Sequence, residues 1–515
     1  MPKFILRAVL LLIMLTACGR QNTEEIPSVP LNGNGEPIIM VEPSENTNAE
    51  QPPTLPIIEI PPFNDYIIDL EIDTENRTVQ GISRIEFTNR TQEELYTIVF
   101  RVYLNAFREN MTPRPYFSDN EWRLSRRGWE RGFGYMDIQY ASINHQTVGF
   151  HIDNTVLTLH LSEAVKPEQT VQLLLQFNAY IPKIAHRTGG NEHAMWFGMF
   201  LPVLSVFDEN GWNTEPLYPA GEPFYLETAN YNVTITTPMR YTVVGTGLRT
   251  EEVIEDTDTR ITRFTAQMVR DFAFALSPYF NHAQIATNSG IEIHLYYHTS
   301  SLQTEHILDT ARISMEYFEE KVGAYPFGHV TIIETDLLAE STAFSQVVFV
   351  DTRHFLYNLH GNLWWLANGL GLQWFANVVG TNRVAEPWLD EGLTRFVQAG
   401  IFYNQTELRE RIERERNSII HRTDLYMTLN LSNFNNRAHY AYTHGRKAMV
   451  MLYALHHEMG DDNFWALISE YYYNFSFAIA TANDFIRIAE EIHGSNLDYF
   501  FSKWMEVGYV PELPE

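Results

Sequence analysis

From Tyr66 onward apolar and polar residues alternate. Ile68, Leu70 and Ile72 take every second position between Asp69, Glu71 and Asp73. Ile98, Phe100, Val102 and Leu104 repeat the device, and Val233 and Ile235 do so between Thr234 and Thr236. A period of two marks half-buried strands, antiparallel where short turns join them. Asp73-Thr-Glu-Asn76 and Glu209-Asn-Gly211 supply such turns. Residues 62–285 thus read as a β-rich domain without long helices.

The period changes after residue 286. Ile291 to Tyr297 reads as one more strand. Then Ile307, Leu308, Ala311, Met315 and Phe318 recur at helical spacing over 303–322, and Tyr325-Pro326-Phe327 ends the run. Val330–Glu334 and Val347–Val350 are short apolar strands. Residues 362–379 and 388–403 read as helices. So does Lys447–Met459, which Gly460 stops. Residues 286–515 are therefore mostly helical with a small sheet, and the chain as a whole is an α+β multidomain protein.

The first sixty residues follow neither period. Lys3 and Arg7 precede a short apolar stretch, Ala8 to Thr16, too short to span a bilayer. Leu15-Thr-Ala-Cys18 has the form of a lipobox, and Cys18 is the single cysteine of the chain. Residues 1–18 are expected to be a lipoprotein signal, with Cys18 lipidated. Residues 19–60, rich in Asn, Glu, Pro, Ser and Thr, are expected to form a flexible tether. A coil of that length reaches about 35–40 Å. The expected location is extracytoplasmic, anchored to a bacterial membrane by acyl chains.

Composition narrows the partners. At 515 residues with 45% hydrophobic and 13% aromatic positions, the chain can bury large cores. A formal charge of −28 repels nucleic acid and anionic headgroups. With one cysteine, committed to lipidation, no disulfide is available, and stability must come from packing.

The most informative stretch is Leu366-Ala-Asn-Gly-Leu-Gly-Leu-Gln-Trp-Phe375, followed by Trp388-Leu-Asp-Glu-Gly392. The zinc pattern H-E-x-x-H places two histidines one helical turn apart with a base beside the first. Asn368 and Leu372 stand at the two ligand positions, and Gly369 stands at that of the base. An amide is a poor zinc ligand, and leucine and glycine offer no donor. Trp364, Trp365, Leu366, Leu370, Leu372, Trp374 and Phe375 can make this an ordinary core helix. Burial would offset glycines that each cost about 1 kcal/mol in a helix.

Four elements in order resemble the membrane alanine aminopeptidase family of gluzincin zinc metallopeptidases, from about residue 62 to the C-terminus. Gly323-Ala-Tyr-Pro-Phe327 is similar to the lead into the catalytic domain, and the degenerate helix is the second element. Trp388-Leu-Asp-Glu-Gly392 is similar to W-L-x-E-G, and Tyr442-Thr-His-Gly445 to Y-x-x-G. The resemblance implies a β saddle domain followed by a thermolysin-like helical domain. It implies that Glu391 is a vestigial zinc ligand and Tyr442 a vestigial catalytic tyrosine that once stabilised the tetrahedral intermediate. It also implies that the edge strand near Val347–Val350 carried a glutamate for the substrate's α-amino group. Ala343 falls at that position, with Glu340 close enough to substitute after a strand shift.

Few other residues can rebuild a site. His360 lies two turns before Asn368, about 12 Å along a helix axis, and His354 lies earlier still. His444 has a solvent or capping role as its ordinary reading, and His456-His457 suits a helix C-terminus. Arg395, one turn after Glu391, is the natural partner for that carboxylate. No nucleophile elbow, phosphate loop or C-x-x-C is present. The adjacent acids Asp390 and Glu391 could in principle serve a glycosidase. The expectation is an inactive pseudo-peptidase without cofactor, binding peptides or an envelope partner. An active metallopeptidase with unusual zinc ligation is the alternative, and an inert surface module is a third reading.

Overall fold

The computed structural model describes residues 63–515 apart from 110, 112–114, 127–131, 255–257, 300–302, 357–362 and 515. Cys18, the signal, the tether and His360 lie outside the described residues. The protein is a mixed α+β structure with a β-rich part first and a helical part after it.

Among the described residues the largest sheet has eight strands. Its centre is Asn64–Asp73 beside Thr78–Thr88, joined in antiparallel register with Ile72 opposite Val79. The turn between them is held by Asp73 Oδ1, which accepts from the backbone N–H of Glu75 and Asn76. The alternation seen in the sequence is realised. Tyr66, Ile68, Leu70 and Ile72 are buried, whereas Ile67 is half exposed. One pairing departs from the antiparallel expectation: Asn64–Asp73 runs parallel to Ala229–Pro238, a strand that arrives by a long crossover. Two four-stranded sheets and a two-stranded one, Phe207–Asp208 with Gly211–Trp212, complete this part.

A five-stranded sheet connects the two parts. Its order is Asn281–Ala286, Glu292–Tyr297, His329–Thr335, Val347–Asp351 and Ser341–Phe344. The boundary drawn at residue 285 falls inside its first strand. Period two reveals a strand but not the sheet it joins. The central strands feed two cores, because successive side chains face opposite ways. Ile333, Val347 and Phe349 pack with the β-rich core, while Ile332, Val348 and Val350 pack with the helical core. Ser341–Phe344 ends the sheet and pairs only with Val347–Asp351, Ala343 lying opposite Val348.

Helix Thr304–Lys321 buries Ile307, Leu308, Ala311, Met315 and Phe318, as its spacing predicts. The helix expected over 362–379 is α-helical from Trp364 to Leu372 and widens to a π-helix from Gln373 to Val378. Helix Trp388–Phe402 packs beside it, and Ala448–Met459, closed by Gly460 at φ +78°, packs in turn on Trp388–Phe402. No helix of the described residues is long and apolar enough to cross a membrane.

Candidate functional site

The glycines of the motif serve packing. A Cβ at Gly369 would lie 2.8 Å from Val348 Cγ1, and one at Gly371 would lie 2.3 Å from Phe318. Their absence lets the helix sit directly on the sheet and on helix Thr304–Lys321. Gln373 then locks the strand hairpin to the helix. Its Oε1 accepts from the Gln346 N–H at 2.8 Å, and its Nε2 donates to Phe344 O at 3.0 Å.

A cavity of about 260 Å³ opens beside this junction. Ser341, Thr342 and Ala343 line one wall, Asn368 and Leu372 another, and Glu391, Arg395 and Tyr440 a third. The structure thus brings Asn368, Leu372, Glu391 and Ala343 to one cavity. Gly369 is buried beneath them against Val348 and Ser341. Leu372, Ala343 and Ala376 form their own small apolar cluster. The positions that the resemblance gives to a ligand and to the amine anchor therefore belong to one cluster, and both carry hydrocarbon.

The polar groups are engaged with one another. Asn368 Nδ2 donates to Gln398 Oε1 at 3.1 Å, along the neighbouring helix. Arg395 Nε lies 3.4 Å from Glu391 Oε2, and the carboxylate side chain is 12% exposed. The hydroxyl of Tyr440 donates to Glu391 Oε1 at 3.3 Å. Burial and the Glu391 carboxylate push the Tyr440 hydroxyl well above its ordinary pKa, so it remains a donor.

Tyr442, expected as the cleft tyrosine, is elsewhere. Its ring lies 4.9 Å from the Arg446 guanidinium and 5.5 Å from that of Arg422. Residues two apart on a helix face different ways, and a π-helical turn, Ala441–Lys447, begins just after Tyr440. Tyr440 lines the cavity instead. The sequence signal for it was only its nearness to the Y-x-x-G phrase. His444 is neither solvent-facing nor capping. It is fully buried, with its ring 5.2 Å from Phe434 and 5.4 Å from Tyr440. Desolvation lowers its pKa to about 3.

The remaining residues weighed in the sequence are also placed. His354 stacks on Trp365 with ring centroids 4.0 Å apart, outside the cavity lining. His456 meets Asp461 at 2.8 Å at a helix end. Asp390 turns away from Glu391 to a buried pair with Arg383 at 2.5 Å, so the two adjacent acids do not share the cleft. Glu340 is exposed on the rim. Sequence reasoning missed Arg187, Glu222 and Arg437, which also line the cavity. Arg187 Nε donates to Glu222 Oε2 at 2.6 Å, and Thr342 Oγ1 donates to Glu222 Oε1 at 2.9 Å. No motif marks these residues, because they are brought in by the fold from the β-rich part and the short helix Arg437–Tyr440.

This donor set does not fit zinc. Tetrahedral zinc takes imidazole, thiolate or carboxylate donors. Of the three positions that the resemblance gives to ligands, one is a hydrocarbon, one an amide bonded to Gln398, and one a carboxylate facing a guanidinium. No group of three or more His, Cys, Asp or Glu among the described residues is arranged to hold a metal.

A β-rich part is followed by a helical part, with a cleft lined by the edge strand Ser341–Phe344 and the helix that carries Asn368 and Leu372. Residues 366–504 match the Peptidase family M1 domain. No curated protein matches the chain. Solved structures extend the likeness in fold. The M1 zinc metallopeptidase from Deinococcus radiodurans superimposes with a TM-score of 0.65 at 13% identity, covering 88% of this chain and 95% of that one. A mutant of that enzyme, solved with a Tyr-Ser-Ala substrate, gives 0.63 at 13% identity over 88% and 96%.

Proposed function

We propose that this protein is a lipid-anchored, extracytoplasmic binding protein built on the M1 aminopeptidase scaffold, without zinc-dependent hydrolysis. One observation carries the reading. The space where the second histidine and the amine anchor would meet is filled by Leu372 against Ala343, while Glu391 is engaged by Arg395 and Tyr440. Hydrolysis at such a site needs a metal to acidify water and a base to take its proton, and Gly369 has no side chain to act as that base. The expected ligand is a peptide or a peptide segment of an envelope partner. The anchor is acyl chain on Cys18, which keeps the domain at a membrane surface.

Purified full-length protein supplied with zinc and then dialysed tests the first half. Elemental analysis should find far less than one zinc per chain, and aminoacyl nitroanilides should stay intact. Stoichiometric zinc with chelator-sensitive release would establish the alternative, an active peptidase with unusual ligation. Metabolic labelling with a fatty acid tests the second half: label should enter the wild type and be lost in Cys18→Ser.

A further inference from the structure

The charges around the cleft are unequally used. Glu222 is satisfied by Arg187 and Thr342, and Glu391 by Arg395 and Tyr440. Arg187 is also spent, since its Nη2 donates to Gly221 O at 2.5 Å. Arg395 makes a single long bond through Nε. Its terminal amino groups have no hydrogen-bond partner among the described residues, and its side chain is 32% exposed. Arg437 gives Nε to Glu121 at 2.9 Å and lies over Phe117. Its terminal amino groups are likewise without a partner among the described residues. Two guanidinium groups that line the same cavity as Glu391 and Tyr440 therefore offer spare paired donors. Glu340, the other unpaired lining charge, is exposed on the rim, where water screens it.

Guanidinium donors in pairs match a carboxylate, whose two oxygens accept two parallel N–H bonds. Beside them the Ala343–Leu372–Ala376 surface is apolar, and Trp364 and Trp365 line the same cavity. The volume, about 260 Å³, is slightly under the range of roughly 300–1,000 Å³ usual for a whole small ligand. It suits the end of a longer chain entering from solvent. With alanine at 343, the lining strand Ser341–Ala343 carries no charged side chain to attract an ammonium group.

We propose that this cleft binds the C-terminal end of a peptide, its free carboxylate on Arg395 and Arg437 and its last side chain on the Ala343–Leu372 surface. The inference rests on the reading that the site holds no metal. It reverses the polarity of recognition that an amine-anchoring glutamate at position 343 would impose.

Calorimetric titration of the full-length protein tests it, with N-acetyl-Ala-Ala-Leu as the free acid and as the C-terminal amide. The free acid should bind at least tenfold more tightly than the amide, and removing the acetyl group should change little. Arg437→Gln should weaken the acid about tenfold without altering the melting temperature, because Arg437 is a surface residue. Arg395→Lys, which keeps a charge near Glu391 but loses the fork, should weaken it as well. Equal binding of acid and amide, a requirement for a free α-amine, or no binding of any of these peptides would overturn the proposal. So would inorganic phosphate binding as tightly as the acid, which would mark a general anion site. Zinc measured on the same samples keeps the two readings apart. Zinc-loaded, hydrolysing protein overturns the proposed function. Zinc-free protein indifferent to the carboxylate overturns only this inference.

Discussion

Tyr440 donates its hydroxyl to Glu391 across 3.3 Å, from a helical turn, Arg437–Tyr440, that ends two residues before the tyrosine of the Y-x-x-G phrase. The hydroxyl and one carboxylate oxygen satisfy each other in a mostly buried site. Removing one partner leaves the other underbonded.

Tyr440→Phe should therefore lower the unfolding free energy by about 1 kcal/mol, whereas Tyr442→Phe should be nearly neutral. The Tyr442 ring interacts with Arg446 and Arg422 through its face, and phenylalanine keeps that face. Urea denaturation of the two variants distinguishes them. A larger loss at Tyr442 would mean that the tyrosine on Glu391 is misplaced.

Arg395 and Glu391 make the second test. The carboxylate is nearly buried and the guanidinium is one-third exposed, so the pair is intermediate between surface and interior. A surface pair contributes about 0–1 kcal/mol, and breaking a buried one costs about 3–5 kcal/mol. Arg395→Met should cost about 1–2 kcal/mol, between these limits. Adding Glu391→Gln should return much of it, since the stranded charge is then gone. A double-mutant cycle without coupling would place Arg395 elsewhere in solution.

Much of the scaffold was legible because period and packing agree. Ile68, Leu70 and Ile72 alternate in sequence and are buried in the structure, and Ile307 to Phe318 mark a helix face that is buried as expected. The motif positions Asn368, Leu372, Glu391 and Ala343 could be placed together because resemblance supplies long-range pairing that local pattern does not contain. What stayed hidden has the same cause in reverse. Glu222 is brought to Thr342 across 120 positions, with no local signature. Tyr440 was overlooked because a π-helical turn alters which residue faces the cleft. The sheet membership of Asn281–Ala286 depends on pairing partners, and alternation is silent on them.

His444 carries a pH prediction. Its pKa is lowered from 6.5 to about 3 by burial. Between those values the unfolded chain binds a proton that the native chain does not. Stability therefore rises with pH across this window and falls on acidification, with a slope of up to about 1.4 kcal/mol per pH unit from this group. His444→Phe removes the titrating group from an aromatic surrounding of Phe434 and Tyr440. Relative to wild type, its unfolding free energy should gain steadily from pH 6.5 toward pH 3. Parallel curves for the two proteins would show that His444 is not buried neutral.

The most demanding prediction concerns rebuilding the metal site. Asn368→His with Leu372→His restores two imidazoles one turn apart, on walls of the same cavity as Glu391. Two obstacles remain. Arg395 competes for the carboxylate, and a side chain at 369 meets Val348 Cγ1 at 2.8 Å. The two-histidine variant alone should bind zinc weakly, and adding Arg395→Gln should bring it toward one ion per chain. Adding Gly369→Glu to these should lower the melting temperature, because Val348 belongs to a central strand and yields little. Val348→Ala should recover part of that loss by opening the space. Zinc content and thermal unfolding, measured across this series, read out each step. If the variant with both histidines and a freed Glu391 folds but still takes up no zinc, then residues 368, 372 and 391 do not converge as described.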